Sequence, residues 1–235
     1  MSAEGRIKYK EERISDDTLS EEIVASLNSS RNLLFNNRLI GVSLNGEAYG
    51  NISKRLDPDI RGKLIKQHKE RLQELLSGNL EELLSDSLII TASNTGRFGR
   101  LRAKDYVVVL HYDPEQNMAI TMGEQPSSSE TPTHFAMYHF SRVLNTKPEI
   151  NGVAHGHNHL MWEKSKGRVP STKEGVEYGT KEMYWEIKRL LEEPNFLNVK
   201  RAIMLGHENG ILTIGTTPEN ASIEAVSWYK EIHTS

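Results

Sequence analysis

The sequence predicts an α/β fold, three layers deep (α/β/α), around a central, largely antiparallel mixed sheet. Three observations predict it. Apolar and β-branched runs crowd the middle of the 235 residues, while helical periodicities flank them. The joins Asn45-Gly46 and Asp113-Pro114 are turn signals short enough to close hairpins. Strict strand–helix–strand alternation is absent, which argues against an all-parallel sheet.

Taken in order, residues 1–19 are charged, lack apolar periodicity and read as an N-terminal arm. Residues 20–235 then form one domain. Ile23, Val24, Leu27, Leu33 and Leu34 repeat at helical spacing over Ser20–Asn36. Leu39–Leu44 is a short apolar run that predicts a strand, and the Asn45-Gly46 turn returns the chain through Ala48–Ser53. Residues 57–86 read as a helical insert. Ile60, Leu64, Ile65, Leu72, Leu75 and Leu76 give one amphipathic helix, Ser77-Gly78-Asn79 breaks it, and Leu80, Leu83 and Leu84 begin a second. Strands follow at Leu88–Ala92, Tyr106–Leu110 and Met118–Met122, and a helix at Thr133–Leu144. Gly152–Ala154 is a short strand and Tyr178–Leu191 a helix. Arg201–Leu205 and Ile211–Gly215 are strands, and Asn220–Tyr229 is a last helix.

Composition narrows the function. Lys plus Arg number 29 and Asp plus Glu 32, so a net charge of -3 gives no general case for nucleic acid or membrane surface as partner. The locally basic stretch Lys54–Arg71 is interrupted by Asp57, Asp59 and Glu70 and reads as a solvated helix face. There is no cysteine, which excludes a disulfide scaffold, a cysteine zinc cluster and a thiol nucleophile. With 37% hydrophobic residues the chain can build one sizeable core. The polar start has no apolar segment of a signal peptide, no run reaches membrane-spanning length, and a soluble cytoplasmic protein is expected.

Histidine carries the chemistry. Residues two apart on a strand face the same way, so His155 and His157 can share one metal ion at about 2.0–2.1 Å. His159 continues the alternation and is either a third ligand or, if a helix has begun, a substrate-facing or surface side chain. His207 stands at a strand-to-turn junction. Upstream, Ser127, Ser128, Ser129 and Glu130 precede the helix that contains His134. A serine-rich helix start offers hydroxyls and unpaired N–H groups to phosphate.

Six segments occur in a fixed order: Gly50-Asn51-Ile52-Ser53; Ile89-Ile90-Thr91 leading to Thr95-Gly96; Pro126, three serines, Glu130 and His134; Ala154-His155-Gly156-His157; Tyr178-Gly179-Thr180-x-Glu182; and Leu205-Gly206-His207-x2-Gly210. Together they resemble the class II aldolase/adducin family, over roughly residues 20–230. The family includes fuculose- and rhamnulose-phosphate aldolases, a ribulose-phosphate 4-epimerase and a methylthioribulose-phosphate dehydratase. The resemblance implies that His155, His157 and His207 are metal ligands and that Glu130 is the catalytic acid/base. It implies that Ser128, Ser129, Gly50, Asn51, Thr95 and Gly96 bind substrate and its phosphate. It further implies a divalent metal, Zn2+ first, with Mn2+, Fe2+ or Co2+ as alternatives, a small-molecule substrate and a homotetramer. The expected activity is a metal-dependent aldolase-type lyase acting on a small phosphorylated hydroxy-carbonyl compound. Dehydratase, decarboxylase or epimerase chemistry on the same site, or a silent adducin-like interaction protein, are the alternatives. Two departures stand out. Glu208 and Asn209 separate His207 from Gly210, where the family has the glycine next, and Arg97 and Arg100 flank a lengthened Ser93–Arg97 loop.

Overall fold

The computed structural model describes residues 6–234. Along them run β1 (Lys10–Ser15), α1 (Glu21–Asn36), β2 (Gly41–Val42), β3 (Ala48–Tyr49), β4 (Asn51–Arg55), α2 (Pro58–Gln67), α3 (Lys69–Leu75), α4 (Leu80–Leu83) and β5 (Leu88–Thr91). Then come β6 (Tyr106–Asp113), β7 (Met118–Met122), α5 (Thr131–Val143), β8 (Gly152–His157), α6 (His159–Ser165), α7 (Lys181–Glu192), α8 (Phe196–Val199), β9 (Arg201–Ile203), β10 (Gly210–Gly215) and α9 (Pro218–Thr234).

Eight strands form one sheet in the order β1-β7-β6-β5-β4-β8-β10-β9. Every pairing is antiparallel except β1 on β7. The mixed, largely antiparallel character is therefore as expected. The layering follows from side-chain alternation on strands that are buried on both faces. Ile89, Val108, Leu110 and Ile211 face a core shared with Val24 and Leu27 of α1 and with Ala225 and Trp228 of α9. Their neighbours Leu88, Ile90, Val107, Val109 and Leu212 face the opposite core, with Phe135 and Met137 of α5 and Ile187 and Leu190 of α7.

Several boundaries differ from expectation, each for a physical reason. The N-terminal segment read as an arm is only partly one: its first five residues lie outside the described residues, but Lys10–Ser15 adds the parallel edge strand β1. Its pairing partner, β7, lies more than 100 residues further along the chain, so no local pattern announces it. The Leu39–Leu44 run pairs over Gly41–Val42 alone. Leu39 and Ile40 are buried as irregular chain, because an apolar run reports burial rather than strand pairing. The 57–86 stretch is helical, but its long helix breaks once more at His68. β6 and β8 run three residues further than expected, so β8 carries both His155 and His157.

Asp86 ties α5 to the sheet. It is 2% exposed and accepts from Arg55 of β4 at 2.8 Å, from Arg142 of α5 at 2.8 Å and from His139 of α5 at 2.9 Å. Burial pushes its carboxyl up, but the hydrogen bonds from His139, Arg142 and Arg55 outweigh that and hold it well below the usual carboxylate range. The folded state thus favours the anion, so its contribution is present above the unfolded value of about 3.9 and is lost as pH falls below it. Asp86→Asn is expected to lower stability at pH 7 by about 3 kcal/mol, the lower end for a broken buried ion pair because Arg142 stays partly in water. The gap to the unsubstituted protein should begin to narrow as pH falls from 7 to 3, and close only at the still lower pH where the folded-state carboxyl itself takes up a proton. Urea midpoints at the two pH values measure it, and a gap as wide at pH 3 as at pH 7 refutes the assignment.

Candidate functional site

The site lies at one end of β8, where this strand, the turn before β10 and the start of α5 meet. His155 and His157 point to the α5 side of the sheet, as does Asn51, the β4 residue paired with His155. Gly156 between them is close-packed: a Cβ there would meet the Leu39 carbonyl oxygen at 2.7 Å, and that oxygen accepts the His157 N–H at 2.9 Å. The loop after β9 brings His207 in from the other side. The two residues between His207 and Gly210 are absorbed by a left-handed Asn209 (φ 67°), which lets the Gly210 N–H close on the His207 carbonyl at 2.9 Å.

The three imidazoles converge. Their ligating nitrogens lie within 4.8 Å of one another, and His155 Nε2 and His157 Nε2 are 3.0 Å apart. Two ligands on one ion at about 2.1 Å each lie about 3.0–3.4 Å apart for bond angles between 90° and the tetrahedral value, so this separation is at the short end of that range. His155 Nδ1 lies 3.1 Å from the Ile211 carbonyl and donates its proton there, which leaves the Nε2 lone pair facing the cluster. Burial pushes the His155 imidazole well below its ordinary value, so the ring is neutral at neutral pH, as a ligand must be. The donor set, three imidazole nitrogens beside a carboxylate, fits a divalent transition metal. Aromatic rings brace it: Tyr49 stacks on His157 at 5.2 Å and Tyr178 on His207 at 4.3 Å.

Glu130 is the residue before α5 and is 1% exposed. Its Oε1 lies 2.9 Å from His207 Nδ1 and 3.9 Å from His155 Nε2, and its Oε2 accepts from the Thr133 hydroxyl at 2.7 Å. Burial pushes this carboxyl up, but the His155 and His207 imidazoles and the Thr133 hydroxyl hold it down at about 2. It is a carboxylate at neutral pH.

Of the other residues singled out, Gly50, Asn51, Gly96, Ser128 and Ser129 line the same cleft as Glu130 and the histidines. Ser128 Oγ accepts from Asn51 Nδ2 at 3.0 Å and from the Glu130 N–H at 3.2 Å, which leaves its own proton for an acceptor in the cleft. Thr95 is the exception. It is off the cleft wall, and its hydroxyl is spent on the Ala92 carbonyl at 2.7 Å. His159 opens α6 and bonds Asn209 at 2.9 Å, outside the cluster. His134 is buried behind the cleft against the Ser53 hydroxyl at 2.6 Å, and burial lowers it to about 4.

Sequence reasoning missed the supports. The Tyr9 hydroxyl meets Ser127 Oγ at 2.5 Å and the Ser128 carbonyl at 2.8 Å. Glu11 Oε1 accepts the Ser127 N–H at 3.0 Å and the Thr121 hydroxyl at 2.9 Å. Lys8 lies over the Tyr178 ring at 3.8 Å. The first described strand and its approach therefore hold the serine loop and a ring against His207. Tyr178 stood in a motif, but nothing local marks Tyr9 or Glu11, whose partners lie more than 100 residues away.

Comparison with known proteins bears on the fold and the family. The family described as "Class II Aldolase and Adducin N-terminal domain" matches residues 33–230. Among solved structures, the chain is similar to an L-fuculose 1-phosphate aldolase at 17% identity, covering 92% of this chain and 87% of that one, with a TM-score of 0.55. It is similar to a sugar-phosphate aldolase from Thermotoga maritima at 16% identity, over 91% and 93% of the two chains, with a TM-score of 0.57. A candidate aldolase/epimerase/decarboxylase from Klebsiella pneumoniae shares 16% identity over 92% and 89%, with a TM-score of 0.56. At these identities the likeness is one of fold. No curated protein matches the sequence. Among the described residues, no helix is long and apolar enough to cross a membrane.

Proposed function

The chain belongs to the class II aldolase and adducin family, and from that premise we propose that it is a divalent-metal-dependent lyase that cleaves a carbon–carbon bond in a small, phosphorylated hydroxy-carbonyl compound. The observation that carries this reading is the meeting of His155, His157, His207 and the Glu130 carboxylate at one point of a cleft that Ser128, Ser129 and Asn51 also line. A catalytically silent, adducin-like role would need none of these groups, and their convergence favours an enzyme.

Breaking the bond next to a ketose carbonyl leaves an enediolate, and its negative charge is the barrier to be met. His155, His157 and His207 would hold the ion, which (Zn2+ first; Mn2+, Fe2+ or Co2+ otherwise) would supply positive charge to that oxygen, worth at least the roughly 2.7–4 kcal/mol of a single oxyanion donor. Neutral imidazoles leave the charge of the ion undiminished. The Ser128 hydroxyl, with its oxygen already accepting twice, donates to the substrate phosphate, and Ser129 and Gly50 complete that wall. Glu130 accepts the proton of the hydroxyl whose carbon leaves as the aldehyde. The bonding electrons pass to the former carbonyl, and Glu130 returns the proton to the enediolate carbon. Thr133 holds the other carboxylate oxygen, so one oxygen is presented throughout. Dehydration, decarboxylation or epimerisation would use the same groups with a different bond aligned. A homotetramer accompanies this reading on family resemblance, with a cytoplasmic location as the expectation from composition.

A screen of retro-aldol cleavage tests it, across sugar phosphates and free hydroxy-ketones with Zn2+, Mn2+, Fe2+ and Co2+ each added. Aldehyde release that requires both an ion and a phosphorylated substrate is the expected result. Absence of cleavage with every ion and compound, in protein that takes up metal, overturns the lyase assignment.

A further inference from the structure

We propose that His134 is a positioning residue: held in one neutral tautomer by a pair of buried hydroxyls, it locks the helix that presents Glu130 onto the strand that presents Asn51. The proposal rests on the reading of the cleft given above, in which Glu130 is the acid/base and Asn51 lines the wall.

His134 lies one helical turn beyond Glu130, and its backbone N–H donates to the Glu130 carbonyl at 3.0 Å, so the two side chains share a face of α5. Ser53 lies two residues beyond Asn51 on β4, so those two share a face of the sheet. The Ser53 hydroxyl meets His134 Nδ1 at 2.6 Å and joins the two elements one turn behind the acid/base. At its far end α5 is fastened to Asp86 through His139 and Arg142. The helix is thus held at two places, and the anchor nearer Glu130 is His134.

The direction of each hydrogen bond follows from counting protons. Ser53, His134 and Tyr138 are each 0% exposed. Ser53 Oγ meets the Tyr138 hydroxyl at 2.7 Å as well as the imidazole. Tyr138 has no other acceptor among the described residues, since the Val153 backbone N–H beside it is a donor. The phenol proton therefore goes to Ser53, and Ser53 gives its own to His134 Nδ1. The ring proton is then on Nε2, which has no partner among the described residues.

Burial lowers this imidazole to about 4, so it is uncharged at neutral pH. Its one lone pair is occupied by Ser53, so it cannot take up the proton of Glu130. What it supplies is direction. A buried N–H without an acceptor costs free energy that a leucine of similar volume would avoid, so the bond to Ser53, not packing, accounts for the imidazole.

Three measurements on the full-length, zinc-loaded protein test the lock. In nitrogen NMR of histidine-labelled protein at neutral pH, the His134 signals are identified by their loss in His134→Asn. They are expected to show an unprotonated Nδ1 and a protonated Nε2, and a protonated Nδ1 overturns the proposal. In hydrogen exchange, Ser53→Ala should speed the His134 and Phe135 amides about two- to tenfold, as loss of one hydrogen bond does, and leave those at the Asp86 anchor unchanged. Equal protection with and without the Ser53 hydroxyl overturns the lock. With fructose 1-phosphate as the probe of turnover, Ser53→Ala and His134→Leu should lower kcat about 10²-fold, the cost of a misplacement near 1 Å, with KM and zinc content unchanged. His134→Asn puts an amide oxygen where Nδ1 stands and should recover most of that loss, which a role in packing alone would not allow. Full kcat in Ser53→Ala overturns the lock, as does an asparagine variant no better than the leucine one. If His134→Leu does not fold, Ser53→Ala and His134→Asn decide between them. Failure of the unsubstituted protein to cleave fructose 1-phosphate counts against the reading of the cleft alone, because the tautomer and the exchange rates decide the lock without substrate.

Discussion

Replacing His155 with alanine is expected to lower zinc affinity by more than about 100-fold and to abolish turnover. Loss of a group that merely orients a ligand already costs about 10–100-fold in metal affinity, and His155 is argued to be a ligand itself. Its Nε2 lies at the centre of the cluster, 3.0 Å from His157 Nε2 and 3.9 Å from Glu130 Oε1. The ring is buried, so no solvent-exposed neighbour can swing in to replace it. Equilibrium dialysis with metal analysis measures the change. His159→Ala is the control, because His159 bonds Asn209 outside the cluster and its removal should leave zinc uptake intact. Stoichiometric zinc of unchanged affinity in His155→Ala would mean that the convergence of imidazoles is not a metal site.

The second large effect is on rate alone. Glu130→Gln should retain zinc with affinity close to that of the unsubstituted protein, yet turn over about 10²–10⁴-fold more slowly, the usual contribution of a positioned acid/base. Glutamine has the same shape and can still accept from Thr133. It cannot take up the substrate proton near neutral pH, which the native carboxylate, held at about 2, is ionised to do. The loss should fall on kcat with KM little changed, since the proposed phosphate contacts run through Ser128 and Asn51 and not through the Glu130 side chain. Full activity in Glu130→Gln would remove this side chain from the mechanism. A loss of zinc along with activity would instead make it a ligand.

Much of this was readable before any coordinates, because the signals are local. The periodicity over Ser20–Asn36 is α1 to within a residue, and Met118–Met122 is β7 as expected. The His-x-His spacing works because β8 stays extended through His157, one residue beyond which Asn158 caps a new helix and removes His159 from the row. Thr95 shows the limit of such reading: its place in an ordered motif says nothing about which way its hydroxyl turns, and it turns to Ala92.

The amino-acid sequence by itself singled out the candidate groups: His155 and His157 by their spacing, and His207, Glu130 and the serines by six ordered segments taken together. Tertiary structure alone decided that they meet, and what holds them there. β1, Tyr9, Glu11 and Arg31 act through partners 64 to 119 residues distant, across hydrogen bonds that no periodicity encodes. Propensity and patterning are set by forces within a few residues, whereas the closing of those contacts is set by the burial of two sheet faces at once, and only the folded chain reports which of the many possible distant pairs that burial selects.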